Sequence, residues 1–205
     1  MSSDLVHVAG LDIESRYEAE FNDWYESDYL PGLLGIPGWL AVRRYECLEG
    51  EPTFVDVFDL GVEALEAEVV PAPFRDPAFS RRIRDYHART WRRIFAAGDD
   101  PAEAELVNLV TVEISAQHAE GFNRWYSEKH TPEIISCPGW LGGERFESLG
   151  GEPRFMAMYG LEDPERPFAT AEYEAVVGWD EHAQHIRGYH GFRIYRLITR
   201  MGAVG

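Results

Sequence analysis

His130 is the side chain whose type and spacing best suit it to move a proton. In the stretch from Gln117 to about Ile135, Phe122, Tyr126, His130 and Ile134 recur at every fourth position. That period builds one stripe of a helix, and side chains four apart point the same way. The stripe should therefore turn His130 and Tyr126 into a cleft between helix and sheet. Imidazole takes or gives a proton near neutral pH with little tuning. The bland alternative is a core histidine bonded to a backbone carbonyl beside Pro132. Tyr126 reads either as a donor to a substrate oxygen or as core with its hydroxyl at the rim. Phe122, Trp125 and Trp140 would wall the same cleft, which suits a flat apolar ligand.

A second cluster lies further along, where His182, His185 and His190 fall within nine residues. His182 and His185 are one helical turn apart, a spacing that metal sites use, but no cysteine or third ligand accompanies them. His185 or His190 would instead line the His130 pocket. No G-x-S-x-G elbow, G-x-G-x-x-G turn or P-loop occurs. Of the two cysteines, Cys137 sits in a turn beside Pro138, with Ile36 at the matching place in the first half, which argues against a nucleophile.

Composition narrows the field. A net charge of −17 over 205 residues leaves no basic stripe for nucleic acid or an anionic membrane. No apolar run reaches the length of a membrane span. The opening Met1-Ser2-Ser3-Asp4 has no signal-peptide character, and cysteines are few, so a cytoplasmic protein is expected.

These residues sit in a repeated frame. Residues 21–52 and 122–153 align without a gap at an offset of 101, with 15 of 32 positions identical. Chance would give about one in sixteen. Two copies are too few for a solenoid, so an internal pseudo-dimer is expected. In the second copy, Leu106–Ile114 alternates as a strand. The His130 helix, strands Trp140–Ser148 and Arg154–Tyr159, a helical region from Ala169 to Arg187 broken near Gly178, and strand Phe192–Ile198 follow. The first copy repeats this with Val6–Ile13, Tyr17–Leu34, Trp39–Cys47, Thr53–Leu60, a broken helix to about Ala88, and Trp91–Ala96. The order β-α-β-β-α-β is the ferredoxin-like unit. The expected organisation is a first repeat over 1–97, a linker over 98–104 and a second repeat over 105–205. Their sheets would meet face to face as a single-chain α+β barrel.

The phrase Trp125-Tyr126-Ser127-Glu128-Lys129-His130-Thr131-Pro132 is similar to the W-x4-H-x-P signature of EthD-type proteins. Pro138-Gly139-Trp140 and Arg145-Phe146 also resemble that branch of the dimeric α+β-barrel superfamily. The resemblance implies a pocket between each sheet and its helices. Its relatives include polyketide cyclases, lactone isomerases, cofactor-free monooxygenases, dehydratases and decarboxylases. The first copy departs from the motif, with Tyr29 where the histidine should stand, so its pocket, bordered by Tyr25 and Tyr29, should be smaller or filled. Arg44 and Arg145 occupy matching strand positions and read as ion-pair partners of a helix or as groups that polarise a ligand oxygen.

The reading is a cofactor-free, metal-free enzyme performing proton transfer (dehydration, cyclisation, isomerisation or decarboxylation) on a small apolar or aromatic compound. His130 would be the general acid/base and Tyr126 its helper. Phe122, Trp125, Trp140, Arg145, His185, Tyr29 and Tyr25 would contact ligand. The alternatives are a non-catalytic binding or accessory protein, and a haem- or metal-dependent oxidoreductase. Further self-association is open.

Overall fold

The computed structural model describes residues 3–66 and 79–202 and shows an α+β fold. Its described residues divide into two compact units, residues 3–91 with 197–202, and residues 92–196. The boundaries fall inside the two longest strands.

In the first unit, β1 (Leu5–Ile13) leads into α1 (Glu18–Trp24), a π-helical turn at Tyr25–Tyr29, and α2 (Leu30–Leu34). Strands β2 (Trp39–Cys47) and β3 (Phe54–Leu60), the short α3 (Glu63–Glu66) and the start of β4 (Ile83–Gly98) complete it. Strand β3 lies between β1 and β2, antiparallel to both. All seven of its residues are buried. Two are aspartates, and each meets an arginine of β2: Arg43 reaches diagonally to Asp59 through two 2.8 Å bonds, and Arg44, directly opposite Asp56, lies 3.7 Å from it.

The second unit carries β5 (Leu106–Ile114), α4 (Ala119–Trp125), a π-helical turn at Tyr126–His130, and α5 (Thr131–Ile135). Then come β6 (Trp140–Ser148), β7 (Phe155–Leu161), α6 (Ala171–Val176) and β8 (Ile186–Gly202). Its strands run β8, β5, β7, β6, each antiparallel to its neighbour. Leu106 faces Leu161 as Leu5 faces Leu60, so the offset of 101 holds in the strand register as well as in the sequence.

Strands β2, β5 and β6 have the expected limits and β1, β3 and β7 lie within two residues of them, but β4 and β8 are far longer than the expected Trp91–Ala96 and Phe192–Ile198, and two helical expectations need correction. The broken helix expected up to Ala88 falls partly on residues 67–78, outside the described residues, and residues 83–88 are strand. The helical region expected to Arg187 is α6 and a 3-10 segment at Asp180–His185, separated by Gly178 at φ +130°; Ile186 and Arg187 already belong to β8. At the start of β8, Ile186 pairs with Ile114 of β5, two β-branched residues that favour strand. Among the described residues no helix is long and apolar enough to cross a membrane.

Candidate functional site

The π-helical turn is what brings His130 to its place. Pro132 has no amide to bond the carbonyl of Glu128 four residues back, and the amide of Thr131 bonds Tyr126 instead, five back. A turn that wide lets residues four and five apart meet the same neighbour. His130 accordingly stacks on Trp125 (ring centroids 4.7 Å, 18°) and meets Tyr126 edge-on (4.8 Å, 86°).

His130 is only 6% exposed, and its Nδ1 is buried without a hydrogen-bond partner. Burial lowers its pKa from 6.5 to about 4, against a raising influence from Asp180 and further lowering from Arg145 and Lys129. The imidazole is therefore neutral at physiological pH. It is part of an aromatic stack with Trp125 and Tyr126.

A cavity of about 120 Å³ opens beside it, lined by His130, Tyr126, Tyr159, Trp140, Trp179 and Tyr189 among others. An apolar cavity of about 150 Å³ accepts one benzene ring, so this one has room for about a single aromatic ring. A chain of hydroxyls runs along its wall. Thr131 Oγ1 lies 3.4 Å from the Tyr159 hydroxyl, which donates to that of Tyr126 at 3.3 Å. Burial raises the pKa of both phenols, that of Tyr126 well above 10, so they stay protonated and can donate. With its oxygen accepting from Tyr159, the Tyr126 proton is available to the cavity. Room for the Tyr159 ring comes from Gly143, where a Cβ would stand 2.8 Å from it.

Of the residues expected at the site, His130, Tyr126 and Trp140 border the cavity. Phe122 lies in the core beneath, fully buried, and Trp125 backs His130 from outside the cavity. Arg145 is buried behind Tyr126, its guanidinium 4.1 Å from the ring centre. His185 borders a separate cavity of about 260 Å³ with His118 and His182, its ring stacked on His118 at 3.5 Å. His190, exposed on β8, borders neither. In the first unit, Tyr29 stacks on Tyr25 (4.8 Å) and meets Trp24 at a tilt (5.2 Å, 40°), and the Tyr25 hydroxyl donates to Asp56 at 2.7 Å.

Sequence reasoning missed Tyr159, Asn108, Tyr173, Trp179 and Tyr189, which also line the cavity. For two of them the repeat held a signal, because Tyr159 stands where the first copy has Phe58 and Asn108 where it has His7.

No protein-family model matches the chain, and no curated protein matches it. Solved structures do. A protein described as anthrone oxidase-like superposes with a TM-score of 0.73 at 11% identity, over 99% of this chain and 96% of its own. A ferredoxin-fold protein of Listeria monocytogenes, related to antibiotic biosynthesis monooxygenases, gives 0.51 at 8% identity over 96% of each chain. A heme-binding protein of Thermus thermophilus gives 0.56 at 12%, over 97% and 92%. These likenesses define the fold, that of the dimeric α+β-barrel class, and nothing finer.

The His130 cavity holds about one ring and not a macrocycle, and no three His, Cys, Asp or Glu side chains among the described residues converge to hold a metal.

Proposed function

We propose that the second unit binds a small single-ring phenol or enolisable compound and moves a proton on it, with His130 as the base. The observation that carries this reading is the buried, unpartnered Nδ1 of a neutral imidazole beside a ring-sized cavity with a hydroxyl donor on its wall. A base with a pKa of about 4 is weak, so the substrate proton must be an acidic one, on a phenol or on carbon flanked by activating groups. Tyr126 would donate to the oxygen on which charge develops. The EthD-type signature from Trp125 to Pro132 supports the same assignment, and the reaction belongs to the cofactor-free proton transfers of that group.

Phloroglucinol, one ring with enolisable carbons, tests this in D2O. Deuterium entry at its ring carbons, followed by NMR, should accelerate with the protein and fall about 10²-fold or more in His130→Gln, a change that keeps a planar polar side chain. Exchange that survives His130→Gln but falls in Tyr29→Phe would place the chemistry in the first half. Saturable binding with no acceleration would leave a non-catalytic binding protein.

A further inference from the structure

The surroundings of the two buried arginines differ in one consistent way. At the offset of 101, Arg44 corresponds to Arg145, Asn22 to Asn123, and Tyr25 to Tyr126, while Glu26 becomes Ser127 and Asp56 becomes Ala157. The register agrees, with Arg145 opposite Ala157 as Arg44 is opposite Asp56. The arginine, the amide and the tyrosine are kept, and both carboxylates are gone.

In the first unit the charge is balanced. Arg44 lies 3.7 Å from Asp56 and 3.6 Å from Glu26, and donates to Asn22 at 2.6 Å. In the second, Nη1 of Arg145 donates to neutral groups only: the carbonyl and side-chain oxygen of Asn123 (3.0 and 2.5 Å) and the Ser127 hydroxyl (2.7 Å). Its Nε and Nη2 are buried and unpartnered, and the side chain is 1% exposed. Other charges near it are engaged elsewhere. Glu147, on the same strand, is held by Arg154 at 3.1 Å, and Asp180 by Lys129 at 2.8 Å on the exposed side of the helix. Facing groups on the packed helix and strands are the neutral Tyr126, Tyr159 and His130.

A buried charge stripped of its counter-ions is costly to keep, and its field in a low-dielectric interior is strong. The Tyr126 ring carries that field to the cavity, with one face on the guanidinium and its hydroxyl end at the lining. We infer that Arg145 is an uncompensated cation that makes the His130 cavity prefer the anionic form of its ligand, a phenolate or enolate, and that Ala157 and Ser127 are the substitutions that create this preference. Arg145 is a positioning residue, acting through Tyr126. The inference rests on the cavity being the ligand site, not on its catalysing a reaction.

The probe is 4-nitrophenol, a single ring whose phenolate absorbs in the visible, titrated with the full chain across pH. The pKa of the bound phenol should fall about one unit below that of the free compound, equivalent to phenolate binding about tenfold tighter than phenol. Ala157→Asp should abolish or reverse the shift, and Ala157→Asn, of equal bulk but neutral, should keep it. Ser127→Glu restores the other carboxylate at the helix surface and should act like Ala157→Asp even where that variant fails to fold. A bound pKa at or above the free value, no binding of either form, or Asp and Asn variants that behave alike would overturn the inference. Phenolate preference without His130-dependent exchange would remove the proposed catalysis and leave this conclusion standing.

Discussion

Asp180 acts on His130 from a neighbouring segment, through charge and through a shared neighbour. Its carboxylate accepts from Lys129 Nζ at 2.8 Å and from Trp125 Nε1 at 3.2 Å, and Trp125 is the ring on which His130 stacks. Lys129 holds the Asp180 carboxyl below its ordinary range, so it stays charged and raises the pKa of His130 against burial. Among the described residues it is the non-glycine with a positive φ, +45°. Such a conformation is uncommon outside glycine and is often found at ligand clamps. Asn tolerates that backbone and can still accept from Trp125, so Asp180→Asn removes the charge with little else. His130 should then titrate below its wild-type value, and phloroglucinol exchange above pH 5 should slow as the base weakens. Imidazole NMR titration reads the first effect; an unchanged His130 pKa would remove Asp180 from the site. Nothing in the sequence singled out this residue, because it lies beyond Gly178, where the helical period has already failed.

The elements that hold the site were more legible than its lining. The period of four that marks Phe122, Tyr126, His130 and Ile134 gave the face, but the wide turn at Tyr126–His130 was not read from it, because a period of four does not distinguish an α-helical turn from a π-helical one. Strand β7 could be placed to within two residues, expected as Arg154–Tyr159 and found as Phe155–Leu161, but its consequences could not be read. Tyr159 makes its hydroxyl chain only because Gly143, opposite it on β6, leaves space, whereas the first unit has Val42 opposite Phe58. That pairing is a cross-strand contact, invisible until the register is known. Gly143→Ala would set a methyl 2.8 Å from the Tyr159 ring and 3.1 Å from Thr131. Overpacking of this kind costs about 1–3 kcal/mol. The melting temperature should drop accordingly, and the displaced Tyr159 hydroxyl should lose its bond to Tyr126, so 4-nitrophenol binding should weaken more than tenfold. Binding equal to wild type would show that the Tyr159 hydroxyl does not set the cavity wall. The helical region after Ala169 was legible with its break at Gly178, and only its last two residues, Ile186 and Arg187, belong to a strand, because Ile186 pairs with Ile114 of β5, a partner the sequence does not reveal.

At the scale of the whole molecule, three buried groups tie stability to pH. His130 and His7 are both lowered from 6.5 to about 4 by burial, and Asp56 is raised from 3.8 to about 6, burial outweighing its attraction to Arg44. Each histidine stays neutral in the folded chain while the unfolded chain takes up a proton below pH 6.5. Its contribution is therefore fully present above that pH and fades as pH falls toward 4. Asp56 has the opposite sign, since the folded chain holds its proton more tightly; its contribution is present at low pH and fades as pH rises through about 6. Shifts of this size are each worth at most about 3 kcal/mol. In the first unit His7 and Asp56 offset one another over pH 4–6, whereas His130, with Ala157 in place of a carboxylate, has no such offset. Lessening self-repulsion from the net charge of −17 on acidification acts on every variant alike. Denaturant unfolding at pH 7 and pH 4.5 should therefore show a wild-type loss on acidification that His130→Gln reduces. Asp56→Asn should deepen the same loss, because it removes the opposing titration. If His130→Gln loses as much stability between the two pH values as the wild type, the imidazole is not held neutral by the fold, and its standing as an unprotonated base goes with it.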